Sequence, residues 1–231
     1  MIKRIIDIFG VSVKKVSDYQ KVKKDIKDIL ESFKREGIDF CILRNPNNLE
    51  RQKDLDILIK NKKDIRNIMK RFGFRRRSSY GPYVSYKRRD IWLDFKVGCL
   101  AYNGFCFENA SSILSRKKKY KYYFILNEND EFVHLILHSI LFKRYFKPKY
   151  KKRISFLLKI INRQGVVKKL EDKFYGDGEI LFNLIIKKDY KKALNMREKL
   201  FKRVFNLRGV FSFCMMWLVS TYGTMLQKIT K

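Results

Sequence analysis

Lys53-Asp54-Leu55-Asp56-Ile57-Leu58-Ile59 places two acids at alternate positions of an otherwise apolar run. Side chains along a strand alternate between faces, so Leu55, Ile57 and Ile59 share a core face, and Asp54 and Asp56 share the opposite one, with Cα atoms about 6.6 Å apart. A second segment follows the same rule. In Trp92-Leu93-Asp94-Phe95-Lys96-Val97, residues Leu93, Phe95 and Val97 take the core face and Asp94 the other. Aspartate is a poor strand former, and like charges on neighbouring strands repel. Placed side by side, the two strands bring three carboxylates to one patch, which then calls for positive charge.

A divalent cation meets that need. Mg²⁺ prefers hard oxygen ligands and leaves positions for water and substrate phosphates. Two ions about 3.5 to 4 Å apart stabilise both the attacking and the leaving oxygen of a phosphoryl displacement. The plainer alternative is that Asp54 opens a strand, Asp56 is solvated and Asp94 pairs with a lysine.

Outward from this pair, the segments fall into order. Ser17-Asp18 caps a helix that runs to about Arg35, with Val22, Ile26, Leu30 and Phe33 at helical spacing and Gly37 as its stop. Ile38 to Leu43 reads as a buried strand, and Asn45 to Asn48 as a loop by its turn chemistry. Leu55 to Ile59 is the second strand. Lys62 to Phe72 is predicted as a helix with Ile65, Ile68, Met69 and Phe72 inward, closed by Gly73. Tyr80-Gly81-Pro82-Tyr83 and Lys87-Arg88-Arg89-Asp90 are turns between antiparallel strands, and Ile91 to Val97 is the returning strand. After Gly98 helices are expected at Glu131 to Tyr145, Ile154 to Ile161, Ile180 to Ile186 and Tyr190 to Val204. The fold class is therefore α+β: a small mixed sheet with helices on one face, followed by an α-helical part. The segments expected are 1–16 (basic and apolar), 17–100 (sheet core), 101–209 (helical) and 210–231 (an apolar terminal helix).

The leading helix, the strand Phe40-Cys41-Ile42-Leu43, the loop Arg44 to Lys53, Asp54-Leu55-Asp56 and Leu93-Asp94-Phe95 together resemble the nucleotidyltransferase-fold superfamily, whose core is related to the DNA polymerase beta palm. The chain looks closest to nucleotidyltransferase-like proteins found with sugar or surface-polysaccharide genes. The resemblance implies transfer of a nucleoside monophosphate from an NTP to a hydroxyl-type acceptor with two Mg²⁺ ions. Asp54 and Asp56 would bind both ions, and Asp94 would hold the catalytic one and help activate the acceptor. Active members carry a Gly-Gly or Gly-Ser pair after the first strand to grip the triphosphate. Here Arg44-Asn45-Pro46-Asn47-Asn48 stands there, leaving Arg44 through its guanidinium fork and Asn45 through its amide as the candidate triphosphate contacts. Lys143, further along, is a third candidate for phosphate. The alternative is a noncatalytic member of the fold.

That alternative draws on composition. The 231 residues include 54 Lys and Arg against 23 Asp and Glu, a formal net charge of +31. So basic a chain is attracted to polyanions: RNA, DNA, or an anionic lipid or glycan. Runs at Arg75-Arg76-Arg77, Lys117-Lys118-Lys119 and Lys147 to Arg153 are interleaved with tyrosines, which adds stacking surface to phosphate neutralisation. A hydrophobic share of 45% excludes a disordered polyelectrolyte. No P-loop, GxSxG or HExxH motif occurs. His134 and His138, at i and i+4 without an evident third ligand, are expected to be core histidines, with a site-lining role as the alternative. Cys41, Cys99, Cys106 and Cys214 lack paired metal spacing and read as buried reduced thiols, which points to the cytoplasm. Val210 to Val219 is too short to span a bilayer. It reads as a docked helix or, alternatively, as a peripheral contact of 210–222 with the inner face of a membrane, beside a partner in polysaccharide assembly.

Overall fold

A computed structural model of the chain describes residues 25–44, 49, 53–102 and 105–207. The helix start at Ser17-Asp18, the segment 1–16, Asn45 to Asn48 and the run Val210 to Val219 lie outside the described residues.

Nine strands are seen among them: β1 (Phe40–Ile42), β2 (Asp54–Ile59), β3 (Arg75–Tyr80), β4 (Tyr83–Arg88), β5 (Ile91–Val97), β6 (Cys99–Tyr102), β7 (Phe105–Asn109), β8 (Lys118–Tyr120) and β9 (Tyr123–Ile125). Seven form one sheet in the order β3-β4-β5-β2-β1-β9-β8, while β6 and β7 pair separately. The large sheet is mixed: β2 runs parallel to β5 and β1 parallel to β9, and the other neighbours are antiparallel. The fold is α+β, as the alternation in the two aspartate strands implies.

Two helices cover one face of this sheet. In α1 (residues 25–35), Ile26, Ile29, Leu30 and Phe33 repeat at helical spacing and are buried. In α2 (Lys63–Arg71), Ile65, Ile68 and Met69 do the same. Both pack on the inward row of the sheet, in which Phe40, Ile42, Leu55, Ile57, Leu93 and Phe95 are fully buried. Both helices end in the same device. Gly37 and Gly73 take positive φ (67° and 71°). Their amides donate to Lys34 and Lys70, while the next amides, of Ile38 and Phe74, reach back to Phe33 and Met69. These crossed bonds satisfy carbonyls that a helix end leaves open, and glycine enters the left-handed region without a Cβ penalty. Arg88, at the end of β4, donates to the Phe72 carbonyl at 2.8 Å, pairs with Asp25 and lies over the Phe74 ring, tying the sheet to both helices.

The sheet is wider than the sequence suggests. The chain after Gly98 does not pass directly into helices. After α3 (Ala110–Ser115) it returns as the hairpin β8–β9 and extends the sheet beyond β1, with Ile42 opposite Ile125. Three-residue strands carry too little periodicity to be read alone. They exist because β1 otherwise leaves backbone donors and acceptors open at an edge.

By compactness the chain divides into two units. One contains the residues up to Ala101 with Glu108–Asn127; the other contains Tyr102–Phe107 and the residues from Glu128 onward. The second unit holds α4 (Glu128–Leu137), a π-helical turn (His138–Lys143), α5 (Pro148–Leu157), α6 (Arg163–Phe174), α7 (Gly178–Ile186) and α8 (Tyr190–Leu207). The helix expected from Glu131 to Tyr145 therefore stops being α-helical at Leu137, and Arg144 closes the π turn in the left-handed region at φ 60°. α6 was not expected, although Val166, Leu170 and Phe174 repeat every fourth residue and are buried. It is capped by Asn162, whose side-chain oxygen accepts from the Gly165 amide at 3.0 Å. Asn162→Ala is expected to lower stability by about 1 kcal/mol in urea unfolding.

His134 and His138 are buried in this second unit. The Tyr102 hydroxyl is hydrogen bonded to His134 Nδ1, and His138 packs edge-on to Tyr150 at 5.7 Å between ring centroids. Cys41, Cys99 and Cys106 are thiols; Cys41 is buried as expected, but Cys99 is only half-buried and Cys106 is exposed. Among the described residues no helix is long and apolar enough to cross a membrane.

Candidate functional site

The second face of the sheet carries the chemistry. Strand pairing sorts its side chains into three rows. The central row runs Ser78 (β3), Ser85 (β4), Asp94 (β5), Asp56 (β2). On one side lie Arg75, Lys87, Trp92 and Asp54, and on the other Tyr80, Tyr83, Lys96 and Leu58. Asp56 and Asp94 are thus direct neighbours in register across the parallel β2–β5 pair, while their flanking residues Leu55, Ile57, Leu93 and Phe95 are fully buried on the other side. Asp54 belongs to the same face but stands one row away, opposite Trp92, and is exposed.

The adjacent carboxylates are held by different partners. Ser85 Oγ donates to Asp94 Oδ1 at 2.6 Å. The Arg44 guanidinium pairs with Asp56. Arg44 reaches it because the Leu43 amide donates to the Asp56 carbonyl at 3.0 Å and carries the β1 ladder one step past the strand. Lys96, two residues beyond Asp94 on the same face, is only 8% exposed. Its ammonium donates to the Ala101 carbonyl at 2.8 Å and lies 5.6 Å from the centroid of the Tyr83 ring. Positive charge does offset the carboxylates, and it comes from Arg44 and Lys96.

Their ionisation reflects this crowding. Burial, joined by the negative charges of Asp56 and Asp54, holds the Asp94 carboxyl above the usual carboxylate range, against the pull of Ser85 and Arg44. Burial draws the Lys96 ammonium down to about 8, with Arg44 acting the same way and Asp56 opposing. The Tyr80 phenol is pushed up by burial and by the charge of Asp94, so it lies within electrostatic reach of the central row.

Among the described residues no three His, Cys, Asp or Glu side chains converge closely enough to form a metal cluster. Asp56 and Asp94 stand together, and Asp54 stands apart from them. Of the candidate phosphate contacts, Arg44 is in the site; Asn45 lies outside the described residues. Lys143 belongs to the second unit, where its ammonium lies 4.8 Å from the Phe142 ring centroid. Sequence reasoning missed Lys96 and Ser85. The signal for Lys96 was present, since the alternation that turns Asp94 away from the core turns Lys96 the same way. Nothing in Tyr83-Val84-Ser85 marks the serine until β4 is set beside β5.

No protein-family model and no curated protein matches the chain. Among solved structures it is similar to the antibiotic-resistance factor ANT(2'')-Ia, at 11% identity over 65% of this chain and 89% of that one, with a TM-score of 0.49. It is also similar to JHP933 from Helicobacter pylori, at 11% identity, 93% and 98% coverage and a TM-score of 0.42. A third likeness is to an antigenic nucleotidyltransferase-like protein from Paracoccidioides brasiliensis, at 15% identity, 77% and 93% coverage and a TM-score of 0.40. At such identities no residue role transfers, so function has to be argued from this chain's own side chains.

Proposed function

We propose that the chain is a Mg²⁺-dependent nucleotidyltransferase that moves a nucleoside monophosphate from an NTP to a hydroxyl-type acceptor. The observation that carries this reading is the in-register pair Asp56 and Asp94, set on the open face of the sheet by strands whose alternate residues are fully buried. Two carboxylates forced together inside a fold cost stability, and groups held at such a cost mark a candidate functional site. The donor set fits a hard divalent cation. It consists of carboxylate oxygens, and the raised affinity of Asp94 for a proton is the imbalance that a cation relieves. Asp56 and Asp94 would hold the ions, with Asp54 at the margin, and Arg44 must then leave Asp56. Bound there, Mg²⁺ supplies charge stabilisation at the reacting phosphate.

The chain's own groups do the rest. The acceptor oxygen forms a bond to the α-phosphorus, the bond from that phosphorus to the β-bridging oxygen breaks, and pyrophosphate leaves with the electron pair. The hydroxyl proton passes to an Asp94 oxygen, oriented by the Ser85 hydroxyl. Arg44, once released, is placed to pair with the triphosphate, in the role that a glycine-rich turn would otherwise fill.

The Arg44–Asp56 pair also favours a second reading, since an arginine that satisfies the carboxylate permanently leaves a noncatalytic, polyanion-binding fold. Incubation with α-phosphate-labelled NTPs, Mg²⁺ and a panel of hydroxyl acceptors separates the two. Label on an acceptor with release of pyrophosphate is expected. No pyrophosphate from any of the common NTPs, with salt-sensitive polyanion binding intact, would establish the second.

A further inference from the structure

Where the two rows that flank Ser85 and Asp94 run outward from Asp54 and Lys96, they have a chemistry of their own that nucleotidyl transfer does not use. On one side Tyr80 is 47% exposed, with its ring 5.2 Å from that of Tyr83. On the other, Lys87 lies 4.6 Å from the centroid of Trp92, next to Arg75. The aromatic stations lie one row to either side of the hydroxyl and carboxylate row, so they are separated by about 13 Å along the strands. Arg75 is exposed, and among the described residues no carboxylate engages it or Lys87. An exposed Tyr80 ring and a half-buried Trp92, beside the exposed Arg75 and the half-buried Lys87, match a ligand of flat rings strung on negative charge.

We propose that this face, on β3, β4 and the outer part of β5, binds a single-stranded nucleic acid. Its bases lie against Tyr80 and Trp92 and its phosphates beside Arg75 and Lys87. A duplex keeps its bases stacked on each other and cannot use the rings. A cationic acceptor is disfavoured by a net charge of +31, and a neutral glycan leaves the cations without a role. That the strand's terminal hydroxyl is the acceptor delivered to Asp94 rests on the function proposed above; the binding itself does not.

The test is fluorescence anisotropy of labelled 12-nucleotide RNA and DNA, single-stranded and duplex, without Mg²⁺ or NTP, between 50 and 200 mM salt. Single strands are expected to bind more tightly than duplex, with affinity falling steeply as salt rises. Tyr80→Ala and Arg75→Glu should each weaken binding about tenfold, and Arg75→Glu should flatten the salt slope by about 0.7. Lys168→Glu carries the opposite charge onto the exposed surface of α6, outside the basic runs, and should stay within about twofold. Equal affinity for RNA and DNA, or preference for RNA, fits the proposal. It is overturned if Lys168→Glu weakens binding as much as Arg75→Glu, if neither face variant moves it, if duplex binds as well as single strands, or if only phosphatidylglycerol vesicles bind. Face-dependent binding without label transfer would remove the reaction and leave this surface standing. Transfer to a small hydroxyl acceptor without face-dependent binding would do the reverse.

Discussion

Asp94→Asn is expected to lower nucleotidyl transfer about a thousandfold while the protein stays folded and is no less stable at neutral pH. The two halves of that result come from one geometry. Asparagine keeps the shape of the side chain, and its carbonyl oxygen accepts the Ser85 hydroxyl that now lies 2.6 Å from Asp94 Oδ1. What it loses is a charge that the fold disfavours. Burial and the neighbouring Asp56 and Asp54 raise the proton affinity of Asp94 in the folded chain. Between the ordinary carboxylate value and that raised one, the folded state binds more proton than the unfolded state, so the wild type loses stability as pH rises through the window. Above that window the charge on Asp94 is therefore a net cost, and the amide escapes it. Initial rates of label transfer, set beside urea midpoints at pH 5 and pH 7, check both halves. Full activity in the variant would end the catalytic reading, and loss of activity together with the folded baseline would reduce Asp94 to a structural residue.

How much of this could be read beforehand follows from the range of each interaction. Alternation is local, and it was enough to assign Leu55, Ile57, Leu93 and Phe95 to the core and Asp56 and Asp94 to the other face. Helix ends are local too, and Gly37 and Gly73 sit where the stops were expected. Register is not local. That Asp56 lies opposite Asp94, and Asp54 opposite Trp92, depends on a parallel pairing across an intervening helix and hairpin. The partners of the carboxylates are also long-range: Arg44 arrives from the end of β1 and Ser85 from β4. The strands β8 and β9 were illegible because Lys118–Tyr120 and Tyr123–Ile125 have too few residues to show a period and owe their form to the edge they cover. Lys96 is the instructive miss. A lysine in an apolar strand reads as a surface residue, and only the packing around Ala101 and Tyr83 shows it to be enclosed.

Lys96→Met is expected to make the protein more stable at pH 7, by about 1 kcal/mol, and to slow transfer. Burial lowers the proton affinity of this ammonium from its ordinary 10.5 to about 8, a difference of about 3 kcal/mol against the charged form. At pH 7 the lysine carries its charge folded and unfolded alike, so that cost is present in full. Methionine has a similar length and no charge; it removes the cost and forfeits the charge-assisted bond to the Ala101 carbonyl, worth about 2 kcal/mol. The sign of the pH dependence is fixed by the same shift. Between about 8 and 10 the unfolded chain binds more proton than the folded one, so wild-type stability rises with pH over that interval, and the variant's should stay flat. Urea unfolding at pH 7, 8.5 and 9.5 measures both. A buried cation that the fold would be better without fits the function proposed above, in which Lys96 would hold positive charge near Asp94 and Asp56 once Arg44 turns to the triphosphate. A Lys96→Met protein that is weaker at pH 7 and keeps the alkaline rise would instead make the ammonium a strut for the chain at Ala101.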